Sequence, residues 1–212
     1  MKKVYIPTIG EERANAISHG AMAAIVLLLI PFGSVLSYLQ GGAVMSLSVS
    51  IYMISIFAMT LVSTLYHSMG RDTRDKEVLH VLDHIFIYVA IAGSYTPVAL
   101  SVIGGWRGIS ITILQWVMVV VGVLYKTMCR RSIPALSLTI YLTMGWSVVI
   151  YLPELIRNGS STLLTLIVAG GLFYTVGAVI YARKGFKYHH LVWHLMINIA
   201  LLLHLTAILL YI

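Results

Sequence analysis

The chain has 212 residues, of which 59% are hydrophobic and only 10% charged, with a mean hydropathy of +0.93. A soluble domain carries about 25% charged residues, so this composition excludes a water-facing globule and indicates a polytopic membrane protein. The formal net charge of +7 comes with no RNA-binding motif and no basic stripe, which excludes a nucleic-acid reader and leaves membrane topology as its meaning.

A spanning helix needs about 20 predominantly apolar residues, and seven segments qualify in chain order. The first, 17–38, follows "MKKVYIPTIGEERANAISHG". That lead has two lysines but then Glu11 and Glu12, and the apolar run is too long for a signal-peptide core, so the span is expected to be retained. Glu11, Glu12 and Arg13 stand where they can cap the helix or pair with basic loops, and His19 opens the span. The second span, 43–67, follows "LQGGA" and closes on "STLYHS", with Ser63 one turn before His67. The third, 78–102, holds Asp83, the one acid well within a span, between His80 and His84. Its outer half, "AGSYTP", offers Gly93 and Ser94 for close helix approach and Pro97 as a kink or break.

The fourth span, 108–127, leads into "KTMCRRS" with the single cysteine, Cys129, which rules out an internal disulfide. The fifth, 133–152, ends at the break "PELIRNGSS", where "NGS" is a bare three-residue match to a glycosylation acceptor. The sixth, 160–182, carries Gly170, Gly171 and Gly177 as packing positions. The seventh, 189–211, opens with His190 and His194 one turn apart, with His204 further along and His189 expected among the headgroups. Trp106, Tyr151, Tyr188 and Trp193 lie near span ends and read as interface anchors. The expected fold is therefore all-α, a single seven-helix membrane domain over 1–212 with no soluble domain or linker, multi-pass in the cell membrane.

The basic residues alternate by side. Three lie in each of the N-terminal tail (Lys2, Lys3, Arg13), the second loop (Arg71, Arg74, Lys76), the fourth (Lys126, Arg130, Arg131) and the sixth (Arg183, Lys184, Lys187). Only Arg107 and Arg157 fall on the opposite face. The positive-inside rule then predicts a cytoplasmic N-terminus, an outside C-terminus and an odd number of spans.

Ionisable residues within a bilayer cost roughly 2.5–3.5 kcal/mol on insertion scales and usually face the bundle interior for a functional reason. Asp83 lies on the order of 7 Å into its span at ~1.5 Å per residue. His67 closes the second span, His190 and His194 open the seventh, and His19 opens the first, so the predicted topology brings all of them to one layer near the cytoplasmic face. Two histidines at i and i+4 plus a third from another helix match the open three-ligand pattern of catalytic zinc, although imidazole also suits copper, nickel and iron. In such sites the open position holds water whose pKa falls to about 7, and Asp83 is the available carboxylate to orient it or act as base. Ser63 is placed to steer the His67 ring or the water. Spacing alone does not choose between "HVLDH" (80–84) and "HLVWH" (190–194), and His204, about 15 Å along the axis from His194, is too distant to share an ion with it.

Four segments, "EERANAISHG" (11–20), "STLYH" (63–67), "DHIFIYVAIAGSYTP" (83–97) and "HLVWH" (190–194), occur in the order of the hemolysin III family, the bacterial branch of the progestin and adipoQ receptors. The chain resembles that family over essentially its whole length. The resemblance implies one zinc ion on His67, His190 and His194, with Asp83 and Ser63 as the residues of the chemistry, and makes His84 part of an Asp-His dipeptide and not a ligand. Glu12, Asn15 and His19 match the family's first motif, with no role implied. The implied function is a zinc-dependent hydrolase of a lipid amide or ester, similar to ceramide hydrolases and linked to membrane lipid homeostasis, with membrane lipids as substrate or ligand and no soluble partner domain. Alternatives are a non-catalytic membrane sensor or regulator with a structural zinc, and a cytolytic pore as the name hemolysin suggests. The long terminal regions of the receptors have no counterpart here, so hormone binding is not implied.

Overall fold

The computed structural model describes residues 7–70, 73–128, 133–183 and 186–212. Lys2, Lys3, Arg71, Cys129, Arg130, Arg131 and Lys184 lie outside the described residues. All regular structure among the described residues is helical. In chain order it comprises α1 (Ile9–Ser68), α2 (Arg74–Val98), α3 (Gly105–Met128), α4 (Pro134–Trp146), α5 (Leu152–Asn158), α6 (Ser161–Arg183) and α7 (His189–Tyr211). Six helical stretches are long and apolar enough to cross a membrane.

The first of these is bent. A straight 60-residue helix would run about 90 Å at ~1.5 Å per residue, but Gly41 and Gly42 leave helical geometry, Gly42 with φ 71°. That left-handed backbone is accessible to glycine without steric penalty. The two arms of α1, 9–40 and 43–68, consequently fold back on each other. Ser46 Oγ donates to the Ser34 carbonyl at 2.8 Å, Ser34 and Ser50 hydroxyls meet at 2.8 Å, and Gly20 faces Thr64. The "LQGGA" break thus separates the arms where the sequence placed it.

Two expectations are corrected. Pro97 does not break α2, which continues to Val98 and then widens into a π-helical turn, Ala99–Ile103. Proline removes one i→i−4 hydrogen bond, and the wider turn follows directly after it. The fifth span does not stop at 152. A 3₁₀ segment, Ser147–Tyr151, links α4 to α5, which carries helix through "PELIRN" to Asn158. Tyr95 Oη explains the local change: it accepts the Val148 N–H at 2.8 Å and donates to the Gly145 carbonyl at 2.7 Å.

Polarity is inverted relative to a soluble protein. Leu28, Leu39, Ile113 and Ile150 are exposed, whereas Asn15, His19, Thr60, Ser63, His67, Asp83 and His194 are buried. Such apolar exterior area would be an association surface in water and is what lipid tails solvate. Because lipid is as apolar as leucine, helices associate there through close packing and interhelical hydrogen bonds. Val26, Val49, Tyr52, Ile56, Leu201 and Ile208 form the packed centre. Gly93 lets α2 approach Ser55, Gly170 lies against His204, and Gly177 against Trp193 and Met196. α7 packs on α6 and α1, and α1 on α2, so the helix ends that carry His67, Asp83 and the His190–His194 pair share one end of the bundle.

Candidate metal centre

The start of α7 is fixed by the start of α1. Thr8 and Glu11 form a capping box, Glu11 Oε2 accepting the Thr8 N–H at 2.8 Å while Thr8 Oγ1 accepts the Glu11 N–H at 3.3 Å. Glu11 Oε1 then accepts the N–H of Tyr188 at 2.9 Å. Tyr188, with φ 63°, is the non-glycine residue of left-handed backbone among those described. A bulky side chain is rare in that region, and here the bonded carboxylate holds it at the helix start. The consequence is positional: α7 begins one residue later, and His190 and His194 project from its first two turns toward α1.

On the second arm of α1, Ser63 and His67 are both buried. The ring centroids of His67, His190 and His194 are 4.7–5.1 Å apart. One ligand nitrogen from each of the three lies within 4.8 Å of the other two, so these histidines can hold a metal ion. The test of fit is in the unpaired atoms. Nε2 of His67, His190 and His194 are all buried and without a hydrogen-bond partner. Three unpaired nitrogens in one small volume are costly in an empty protein interior and suit a bound cation with imidazole preference.

The opposite nitrogens are held. His67 Nδ1 meets Glu12 Oε2 at 2.7 Å, and the other Glu12 oxygen accepts from Lys76 Nζ at 3.3 Å. His194 Nδ1 lies 3.3 Å from the Asn15 carbonyl and 3.2 Å from Ser18 Oγ. Carboxylate and carbonyl partners on the far nitrogen fix tautomer and ring orientation in metal-binding histidines. These groups come from the first turns of α1. From sequence Glu12 is expected only to cap the helix or pair with basic loops, Asn15 has no role and Ser18 is not singled out, although a polar residue every three or four positions from 11 to 19, leading into an apolar run, is the signal for such a face. The alternative of ion pairing with the basic loops is realised by Lys76 and Glu12.

Asp83 is buried, with His67, Ser63 and Lys126 as its electrostatic neighbours. Ser63 Oγ faces Asp83 and makes no bond to the His67 ring, and it is Glu12, reaching across from the other arm, that orients His67. The rival pair does not join the donor set. His80 is exposed, and His84 Nδ1 is turned back to the His80 carbonyl at 2.8 Å. His204 bonds the Ile167 carbonyl through Nε2 at 3.1 Å, away from the three histidines as its spacing predicted. One reading is corrected. His189 is buried and bonded to the Phe186 carbonyl at 3.0 Å, because the left-handed Tyr188 curls the chain back on itself. The half-buried Trp193 packs its ring on Tyr181 at 4.6 Å and against His190 at 4.8 Å.

Beside the centre is a cavity of about 230 Å³ with an almost wholly apolar lining. Trp193, Tyr181 and His84 line it near the histidines, and Val98, Val148 and Leu155 line it toward the far end of the bundle.

The sequence matches known proteins. The family described as haemolysin-III related matches residues 8–205. The chain belongs to the haemolysin-III-related family. A Bacillus subtilis relative, "Hemolysin-3 homolog", is 34% identical over 187 residues, covering 88% of this chain and 87% of that protein. "Hemolysin-3" of Bacillus cereus is 31% identical over 194 residues, covering 89% and 86%. Human "Monocyte to macrophage differentiation factor" is 28% identical over 210 residues, covering 96% and 85%, and connects this family to the progestin and adipoQ receptor type. Family membership and the six apolar helices together make this a multi-pass membrane protein of the cell membrane.

Proposed function

We propose that this haemolysin-III-related protein is a zinc-dependent hydrolase that cleaves an amide or ester linkage in a membrane lipid. The observation that carries the reading is the set of three buried, unpaired Nε2 atoms next to a buried carboxylate and an apolar cavity. Zinc on three imidazoles with an open position supplies Lewis acidity and an activated water.

The chain's own groups do the rest. Glu12 and the Asn15 carbonyl hold His67 and His194 with Nε2 directed inward. Asp83 takes a proton from the attacking water and delivers it to the leaving nitrogen or oxygen as the acyl bond breaks. Ser63, whose hydroxyl is buried and faces Asp83, orients that carboxylate or the water. The cavity takes the hydrocarbon: from His84 to Val98 it follows on the order of 20 Å of α2 at ~1.5 Å per residue, with walls that exclude water. The positive-inside count supports seven spans in one domain, counting the two arms of α1 separately, with the N-terminus cytoplasmic and the C-terminus outside. The centre then lies in the inner leaflet, at the depth of lipid linkages.

A second reading, a regulator with a structural zinc, is favoured by the origin of the ligands: an ion on His67, His190 and His194 would tie α1 to α7. Incubation of purified, zinc-loaded protein with ceramide and with phospholipid, followed by mass spectrometry of released fatty acid, separates the two. Hydrolysis by wild type that falls at least ~100-fold in Asp83→Asn with metal retained is expected, in line with the weight of general acid–base groups. Zinc-loaded protein that releases no fatty acid from either lipid class contradicts the hydrolase and favours the staple.

A further inference from the structure

His19 is used by nothing described so far. It is 2% exposed, and neither ring nitrogen has a hydrogen-bond partner. Among the described residues it is the histidine with both nitrogens buried and unpaired. His67, His189, His194 and His204 each have one nitrogen bonded. A neutral imidazole carries one donor and one acceptor, and leaving both unmet in an apolar interior is costly. The ring lies face to face on His194, centroids 3.6 Å apart and planes 6° from parallel, and His67 and His190 are electrostatic neighbours as well. Even so, His19 is not among the nitrogens that converge as a donor set. A ring stacked on a ligand ring has its nitrogens in a parallel, offset plane. Its nitrogens are therefore left for an atom other than the one the three ligands converge on.

We propose that His19 binds the acyl oxygen of the lipid next to the metal, donating its ring N–H to the carbonyl or carboxyl group. This rests on the hydrolase reading above and adds to it a residue that holds the ligand without holding the metal. His19 is then a determinant for acyl lipids over hydrocarbons without the oxygen, which the apolar cavity would admit equally.

The test compares zinc-loaded wild type with His19→Phe, which keeps a flat ring on His194 but has no nitrogen, with His19→Met, which fills the space without a ring, and with His19→Gln, which restores a donor and an acceptor. Zinc per chain, thermal midpoint and affinity for palmitic acid are measured on each. Expected are one zinc and an unchanged midpoint in His19→Phe or His19→Met, with palmitic acid bound about tenfold more weakly, the loss of one buried hydrogen bond to a charged or polar oxygen. His19→Gln recovers most of that affinity. Palmitic acid affinity within twofold of wild type in a folded, zinc-loaded apolar variant would overturn the inference and leave His19 as packing. Loss of zinc in those variants would also overturn it, making His19 part of the metal-holding set. Absence of zinc, or of saturable palmitic acid binding, in wild type would overturn the metal reading or the lipid reading respectively, and this inference with it.

Discussion

Glu12 shows what a single residue can and cannot disclose in sequence. His190 and His194 are legible as a pair because they share one helix face, but so do His80 and His84, and it is the resemblance to the hemolysin III family that joins His67 to the former pair. The carboxylate that holds His67 is 55 residues away along the chain, and no local pattern links the two. The error has the same origin: His189 stands where headgroup-facing residues stand, and only the turn at Tyr188 moves it inside. Two predictions belong at this scale. Glu12→Ala removes the partner of His67 Nδ1 and should weaken zinc binding about 10–100-fold, read by competition against a calibrated chelator. His84→Ala touches the rival pair alone and should leave zinc content at the wild-type value; loss of the ion would put the ligand set in "HVLDH".

Helices and turns follow from more local rules, and more of them can be read. Six of the seven predicted spans end within a few residues of a structural break, and α7 begins where the seventh was drawn. The exceptions are at special backbone. α2 passes through Pro97 and widens only at Ala99–Ile103, where the Gly104 N–H reaches back to the Ala99 carbonyl, and the fifth span runs on because Tyr95, from another helix, takes up the Val148 N–H. Neither is encoded in the segment it alters. Gly42 is the element-scale test. With φ 71°, an added Cβ strains the bend even though open space surrounds it. Gly42→Ala should cost about 1–2 kcal/mol, seen as a lower thermal midpoint in detergent, whereas Gly145→Ala, in open helical surroundings, should change it little. Equal midpoints would mean that the bend tolerates side chains.

For the whole molecule, composition and charge carry the farthest. A chain with 10% charged residues must face lipid, and the placement of its lysines and arginines predicts a cytoplasmic N-terminus. Cys129 provides the readout, being the single thiol. In sealed right-side-out vesicles an impermeant maleimide should fail to label the wild type and should label Ile212→Cys in a Cys129→Ser background. The reverse pattern would invert the bundle and move the histidine layer to the outer leaflet.

Metal content decides the central claim most directly. Protein purified in detergent without chelator should contain about one zinc per chain by mass spectrometry, as expected of one three-histidine centre. His67→Ala and His194→Ala should each lose it while still folding as monodisperse membrane proteins. Wild type without metal, or both variants retaining it, would contradict the account.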